Sequence, residues 1–295
     1  EGMRGSIEKY ELALAKDPTF ALAHVGIADA YIFLSGYSFS VPKISMPKAE
    51  RELLAALKMN PDLPEAYASF GHVKSVFHRD WTGSEESFKK AITINPNYPE
   101  AHRWYSHLLL LLDRFDEAHQ EIDIGIKLQP TSPIMHWGKA AIYLRQSNYD
   151  AAKATGQKMM TLDSSFVGGL GIIAISELSL GNFEESLKLA DQGIQNYDNE
   201  FRFLDIKIKA LQELGRLQDV KRLRDELLQR QETHLVPSSV LALAEYNSGN
   251  MDEALSMLER AFEDRDLKLF PVDPRKEFEK LNGNPRFDAI WEKVG

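Results

Sequence analysis

A phrase that ends in proline recurs along the first half of the chain at nearly constant spacing. Pro61, Pro96 and Pro130 are 35 and 34 residues apart, and each closes an Ala-rich amphipathic segment, as Pro18 does earlier. A period in this range dictates the architecture of a chain. Because proline cannot continue a helix but suits the first turn of the next, each phrase predicts the boundary between two helical hairpins. We therefore expect an all-α fold.

Small residues recur inside the second helix of each predicted hairpin, with a larger residue between them. Small residues let neighbouring helices approach closely, and the larger residue fills the space that they leave. The pattern is complete in Ser6, Tyr10, Ala13 and Pro18, in Ala49, Leu53, Ala56 and Pro61, and in Ser84, Phe88, Ala91 and Pro96. The register predicts repeats that begin near Ala21, Leu63 or Pro64, Pro99, Pro133, Val167, Phe201 and Leu235.

This pattern resembles the tetratricopeptide repeat, a helix–turn–helix unit of 34 residues. The resemblance implies a right-handed superhelical solenoid of antiparallel helix pairs. We expect about seven repeats, an N-terminal half-repeat and a C-terminal cap. The solenoid would cover residues 1–266, and residues 267–295 would form the capping segment of the same domain. Gly181 and Gly249 fall at hairpin turns, where a left-handed residue ends the first helix.

Two irregularities interrupt the repeat. The chain opens directly in a second helix, which suggests a fragment of a longer protein, since a half-repeat exposes an unpaired apolar face. Between Tyr31 and Ala49 the spacing is nine residues longer than the repeat requires. We expect the inserted text, roughly Gly36–Pro42, to form a loop whose Tyr37 and Phe39 contact a partner; alternatively, its aromatics pack over the first hairpin.

Three phrases carry a narrower resemblance: Asn95-Pro96-Asn97-Tyr98-Pro99-Glu100-Ala101-His102, His78-Arg79-Asp80-Trp81 and Asn284-Pro285-Arg286-Phe287. They are similar to the C-terminal tetratricopeptide half of bacterial multidomain signalling proteins. These include ToxR-like winged-helix regulators, class III adenylate cyclases and receptor-type kinases. The resemblance implies an upstream effector domain, often followed by a membrane segment. The compartment would be periplasmic if the chain follows such a segment and cytoplasmic otherwise.

Composition argues against several classes of function. The formal charge of −9 opposes general nucleic-acid binding, which needs a basic face to displace counterions from phosphates. The longest aliphatic run, Leu108–Leu112, is far short of the roughly 20 residues that cross a bilayer. The chain has no cysteine, and His102 and His107 lie on different faces of one helix, which disfavours a metal site. We therefore expect no catalytic residue, cofactor, metal or membrane insertion, while an attached catalytic domain upstream stays open.

The remaining expectation is a binding groove lined by the first helices of the repeats. If the family geometry transfers, positions 2, 5, 9, 12 and 13 of each repeat face it, and we expect a cationic and aromatic centre for a protein or peptide ligand. Trp and Arg are the residues most enriched at binding hot spots. Alternatively, the tryptophan fills core space and the arginines pair with glutamates of the repeats. The predicted groove residues are His72, Arg103, His107, Trp137 and Arg145.

Two classes of function follow from this reading. The first is a non-catalytic interaction or sensory module that regulates an attached bacterial effector. The second is a stand-alone assembly scaffold or adaptor in cell-envelope biogenesis. An upstream DNA-binding, cyclase or kinase domain would select the first. The sequence leaves open a homodimer formed through an end repeat.

Overall fold

The computed structural model describes residues 2–196, 201–266 and 274–294, and these residues form helices and turns without a strand. The predicted all-α helical repeat fold is confirmed. Within these ranges, no helix combines the length and the apolar character needed to cross a bilayer. The helices are α1 (Gly2–Lys16), α2 (Ala21–Gly36), α3 (Pro42–Met59), α4 (Pro64–Val73), α5 (Trp81–Ile94), α6 (Pro99–Leu111), α7 (Phe115–Leu128), α8 (Pro133–Arg145), α9 (Tyr149–Leu162), α10 (Val167–Ser179), α11 (Phe183–Asn196), α12 (Phe201–Glu213), α13 (Leu217–Gln231), α14 (Ser238–Ser248), α15 (Met251–Glu263), α16 (Pro274–Glu277) and α17 (Pro285–Val294).

The helices alternate as first and second members of hairpins in the predicted register. First helices begin at Ala21, Pro64, Pro99, Pro133, Val167 and Phe201, as the sequence pattern predicts. The last predicted start, near Leu235, is displaced to Ser238. Pro64, Pro99 and Pro133 each occupy the first turn of their helix, where a backbone N–H would have no partner inside the helix.

The turn inside each hairpin repeats one backbone conformation. Seven residues with φ between 55° and 91° follow one another at intervals of 34 residues: Arg79, Asp113, Ser147, Gly181, Gly215, Gly249 and Gly283. A left-handed residue ends an α-helix because it directs the chain away from the helix axis. The predicted left-handed residues Gly181 and Gly249 are confirmed. The series also continues into the predicted capping segment, at Gly283.

The nine inserted residues of the first hairpin are mostly helical. Relative to α6 and α7, α2 is three residues longer, α3 is four residues longer, and the connecting loop is two residues longer. The loop is therefore residues 37–41, shorter than the predicted Gly36–Pro42, because Gly36 ends α2 and Pro42 begins α3.

One extra residue in the second hairpin is absorbed as a π-helical turn. Lys74–His78 continues α4 with this wider winding and ends at the left-handed Arg79. A π-turn is the usual result of inserting one residue into an α-helix. It explains why Pro61 and Pro96 are 35 residues apart while later intervals are 34.

Close helix packing uses the predicted small residues. Ala91 is fully buried, and a Cβ added to Gly71 would lie 2.8 Å from the buried ring of Phe88. Ser84 Oγ donates to the carbonyl of Gly71 at 2.7 Å, which joins the two helices of that hairpin. Ser186 Oγ makes the equivalent bond to the carbonyl of Ala174, at 2.9 Å. The small positions therefore contribute hydrogen bonds as well as space.

The chain divides into two compact units, residues 1–169 and residues 170–295. The core of the first includes the fully buried Phe88, Leu108 and Ile122. The core of the second is formed by α11–α15 and receives Phe287, Ile290 and Trp291 from α17. The predicted start of the C-terminal segment, including Phe270-Pro271-Val272-Asp273, lies outside the described residues.

Candidate functional site

Three of the predicted groove residues meet around Trp104 in the first unit. The imidazole of His72, on α4, stacks on the indole of Trp104, on α6, with ring centroids 4.7 Å apart. The ring of His107, one turn further along α6, lies 6.4 Å from that of His72. The Arg103 guanidinium lies over the Trp104 ring, 5.3 Å from its centroid. We call His72, Arg103, Trp104 and His107 the aromatic cluster.

Arg103 is almost enclosed, with 8% of its surface exposed, and it is paired. Its Nε and Nη2 both donate to Oε2 of Glu100, at 2.8 Å and 2.5 Å. Its aliphatic part lies against α8, where a Cβ added to Gly138 would be 3.8 Å from Arg103 Cγ. The positive charge of Arg103 is thus balanced by Glu100 on the same helix, α6. The sequence had instead suggested a cationic centre of the groove.

The two histidines of the cluster are neutral at pH 7. Burial and, to a smaller extent, the charge of Arg103 lower the pKa of His107 to about 4. Burial also lowers the pKa of His72 well below its ordinary value, with further contributions from His107 and Arg103. Nδ1 of His72 is buried and has no hydrogen-bond partner among the described residues. The cluster therefore presents neutral rings and one unused polar atom.

Carboxylates border the aromatic cluster on three successive first helices. Asp29, on α2, accepts a hydrogen bond from Ser69 Oγ at 2.5 Å. Burial, with additional effects from the charges of Glu100 and Glu65, raises the pKa of Asp29 to about 7. Oε2 of Glu65 is buried without a hydrogen-bond partner in the described parts of the chain. We call Asp29, Glu65 and Glu100 the acidic border.

All three carboxylates occupy repeat positions that were expected to face the groove, and Asp29 does so at position 9 of the repeat that begins at Ala21. Glu65 and Glu100 both follow the proline that opens a first helix, at position 2 of the repeat, which was expected to face the groove. An acidic residue in the first turn of a helix is also typical of stabilisation by the helix dipole. The same position therefore fits a structural explanation as well as a binding role.

The other two predicted groove residues lie on α8. Trp137 is half-buried beside Gly168, where an added Cβ would be 3.0 Å from Trp137 Cδ1. Arg145 is exposed at the end of α8, and its Nε donates to Asp113 Oδ1 at 3.1 Å. Eight residues of helix separate them, about 12 Å along the axis. Arg145 thus borders a turn, whereas Trp137 lies next to Gly138, which faces Arg103.

The predicted accessory loop residues differ in exposure. Phe39 is 44% exposed, while Tyr37 is half-buried and its backbone N–H donates to the Phe33 carbonyl at 2.9 Å. An exposed phenylalanine on a loop suits contact with a partner, but a single such residue is common on protein surfaces.

Other histidines serve the scaffold. His102 Nδ1 is 2.6 Å from Glu121 Oε2, and its Nε2 is 2.9 Å from the Pro96 carbonyl oxygen. His136, one repeat later, approaches the Pro130 carbonyl oxygen through Nε2 at 2.9 Å. Both rings tie a first helix to the preceding turn. Among the residues described, no three His, Asp or Glu side chains are placed to share a metal ion.

A small pocket in the second unit has a different character. Its volume is about 200 Å³, below the roughly 300–1,000 Å³ of typical small-molecule sites. Four of its charged groups are paired with one another: Lys207 with Asp191 at 2.7 Å, and Arg216 with Asp219 at 2.7 Å. The aromatic cluster and the acidic border are therefore the better candidate site.

Comparisons with known proteins agree with this architecture. Residues 78–142 match the tetratricopeptide repeat family. The chain is similar to a human IFIT1 dimer with m7Gppp-AAAA, at 17% identity and a TM-score of 0.62 over 88% of this chain and 68% of that chain. Yeast Tom70 is 16% identical, with a TM-score of 0.58 over 99% of this chain and 62% of that chain. PilW, a type IV pilus biogenesis factor, is 21% identical, with a TM-score of 0.51 over 67% of this chain and 88% of that chain. No curated protein matches the chain by sequence.

These findings define an all-α helical repeat protein. More particularly, its fold is that of the tetratricopeptide repeat, which typically serves protein–protein interaction and is non-catalytic. The low identities of the solved structures establish the shared fold alone.

Proposed function

We propose that this chain is a protein-interaction module that binds a peptide segment of its partner against α2, α4, α6 and α8 of the first unit. The observation that carries the proposal is the aromatic cluster, in which His72 and Trp104 stack while Nδ1 of His72 has no hydrogen-bond partner among the described residues. Aromatic and arginine side chains set together are typical of binding hot spots. His72, Arg103, His107 and Trp137 are the proposed contact residues, with Arg145, Tyr37 and Phe39 as outlying contacts.

A peptide suits this surface better than nucleic acid does. The acidic border places carboxylates beside the aromatic rings, and Arg103 is already paired with Glu100. Phosphates would be repelled by such a border, since nucleic-acid affinity depends on unpaired basic groups. The ribonucleotide bound in the IFIT1 structure belongs to that protein.

For the biological setting, we propose the regulatory half of a bacterial signalling or transcription-regulating protein. The support is the resemblance carried by residues 78–81, 95–102 and 284–287. We also propose that residues 267–295 cap the repeat array, since α17 packs Phe287 and Trp291 into the core of the second unit. The alternative is an envelope assembly scaffold, for which the fold likeness to the pilus biogenesis factor PilW is the supporting observation. An effector domain encoded in the same reading frame would favour the regulatory role, and its absence would favour the scaffold.

The test of the binding site is photo-crosslinking to a random peptide library. A photoreactive phenylalanine analogue replaces His107 in one variant and the exposed Lys89, on the second helix α5, in a matched variant. We expect peptide adducts at position 107 that Trp137→Ala reduces, and few adducts at position 89. Circular dichroism verifies that each variant is folded. Equal labelling at both positions would contradict a binding site on the first helices.

A further inference from the structure

The acidic border carries more negative charge than its neighbours neutralise. Asp29, Glu65 and Glu100 come from α2, α4 and α6, and the charges of both glutamates add to the effect of burial in raising the pKa of Asp29. The nearby cation is Arg103, which donates both of its hydrogen bonds to a single oxygen of Glu100. His72 and His107 add no charge near neutral pH because burial keeps them unprotonated.

One acceptor of this border is left unused. Oε2 of Glu65 is enclosed by protein, yet no described group donates a hydrogen bond to it. A buried carboxylate oxygen without a donor costs free energy that a ligand can recover by supplying an N–H group. The unused Nδ1 of His72 lies on the same helix, two turns along the same face. Two unmatched polar atoms on one face point to a ligand group rather than to internal stabilisation.

The adjoining surface suits the rest of a long cationic side chain. The imidazole of His72 is half-buried and is held by its stack on the buried indole of Trp104. Burial, together with the charges of Asp29, Glu100 and Glu65, raises the pKa of the neighbouring Tyr98. Lysine and arginine carry a hydrocarbon stem that packs on aromatic surface while the charged head reaches an acceptor. A carboxylate or phosphate ligand would meet uncompensated negative charge instead.

We propose that this surface is a subsite for one basic residue, lysine or arginine, of the bound peptide, with Glu65 as the principal acceptor and Asp29 beside it. The inference rests on the proposed peptide-binding function and names the ligand chemistry of that site. The ammonium or guanidinium group would donate to Glu65, while its stem would lie along the half-buried ring of His72.

The test is a positional-scanning peptide array, in which each position of a random peptide is fixed in turn as lysine, arginine, glutamate, leucine or tyrosine. It is probed with the wild-type chain, with Glu65→Gln and with Glu86→Gln. Glu86 is an exposed residue of the second helix α5, so its variant makes the same change in net charge away from the site. Asp29→Asn is the second site variant, and circular dichroism verifies folding of all four proteins.

We expect the wild-type chain and Glu86→Gln to favour lysine or arginine at one peptide position. Glu65→Gln should bind the selected peptide roughly ten- to hundredfold more weakly, the usual effect of losing a hydrogen bond between charged groups. A peptide that binds in the groove without a basic preference, or with the same preference in Glu65→Gln and Asp29→Asn, would overturn this subsite and leave the peptide-binding proposal standing. Absence of any bound peptide would overturn both.

Discussion

The imidazole of His72 and the indole of Trp104 form a stacked pair, with their planes inclined by 23°. The two residues come from first helices of consecutive repeats, so the stack joins α4 to α6 through side chains. Trp104 is also part of the buried core of the first unit. Trp104 therefore contributes to the core and also positions the ring of His72 in the candidate site.

Trp104→Ala is expected to lower the free energy of unfolding by about 3–5 kcal/mol, because it removes a large buried side chain and leaves a cavity. Trp81, which is 37% exposed at the start of α5, gives the control, and Trp81→Ala should have an effect within about 1 kcal/mol. Urea unfolding followed by circular dichroism measures both. Equal losses in the two variants would show that Trp104 is not a core residue.

Asp29→Asn is expected to change how stability depends on pH. The pKa of Asp29 is raised to about 7 in the folded chain, so the folded state retains a proton that the unfolded state has lost between about pH 4 and pH 7. The contribution of Asp29 to stability is therefore full below that window and is lost as the pH rises through it. The asparagine variant does not ionise, so relative to wild type it should gain at least about 1 kcal/mol between about pH 4 and pH 8. Urea unfolding across this range measures the difference, and a constant difference would contradict a raised pKa.

Ala91→Leu is expected to overpack the contact between helices and to cost about 1–3 kcal/mol, because Ala91 is fully buried. Ala154, which is exposed on the second helix α9, is the matched position. Ala154→Leu should change stability by less than about 0.5 kcal/mol. Chemical denaturation of the two variants gives the comparison. An unaffected Ala91→Leu would mean that the small position tolerates a larger side chain.

A reciprocal pair of substitutions tests the left-handed turns. Ser147 and Gly249 occupy the same position three repeats apart, with φ of 57° and 91°. Ser147→Gly should raise the free energy of unfolding by about 1 kcal/mol, and Gly249→Ser should lower it by about 1 kcal/mol or more, because a side chain is strained in this conformation. Thermal unfolding reports both signs. Changes of the same sign would indicate that contacts of the side chain outweigh backbone strain.

The repeat register was accessible from sequence because proline and small residues mark helix boundaries and contacts. Pro64, Pro99 and Pro133 located the first helices, and Gly181 and Gly249 located two turns. The turns at Arg79, Asp113 and Ser147 carried no such mark, because residues other than glycine adopt positive φ only occasionally, even though Asp does so more often than most. Their conformation is imposed by the helices on either side.

The candidate site could be predicted from the sequence only in part. Position in the repeat indicated that His72, Arg103 and His107 share a face, but pairing and burial depend on side chains from neighbouring repeats. The bond from Arg103 to Glu100 and the unused oxygen of Glu65 follow from that packing. The inserted residues of the first hairpin were expected to form a loop at Gly36–Pro42, whereas most of them lengthen α2 and α3.

The π-helical turn at Lys74–His78 bears on how such an array can change in length over generations. The additional residue is taken up within one hairpin, and the left-handed turns continue from Arg79 at intervals of 34 residues. A single codon gained in one hairpin therefore leaves the pairing of all later hairpins in phase. An insertion can therefore change the surface of one hairpin without changing the register of the hairpins that follow it.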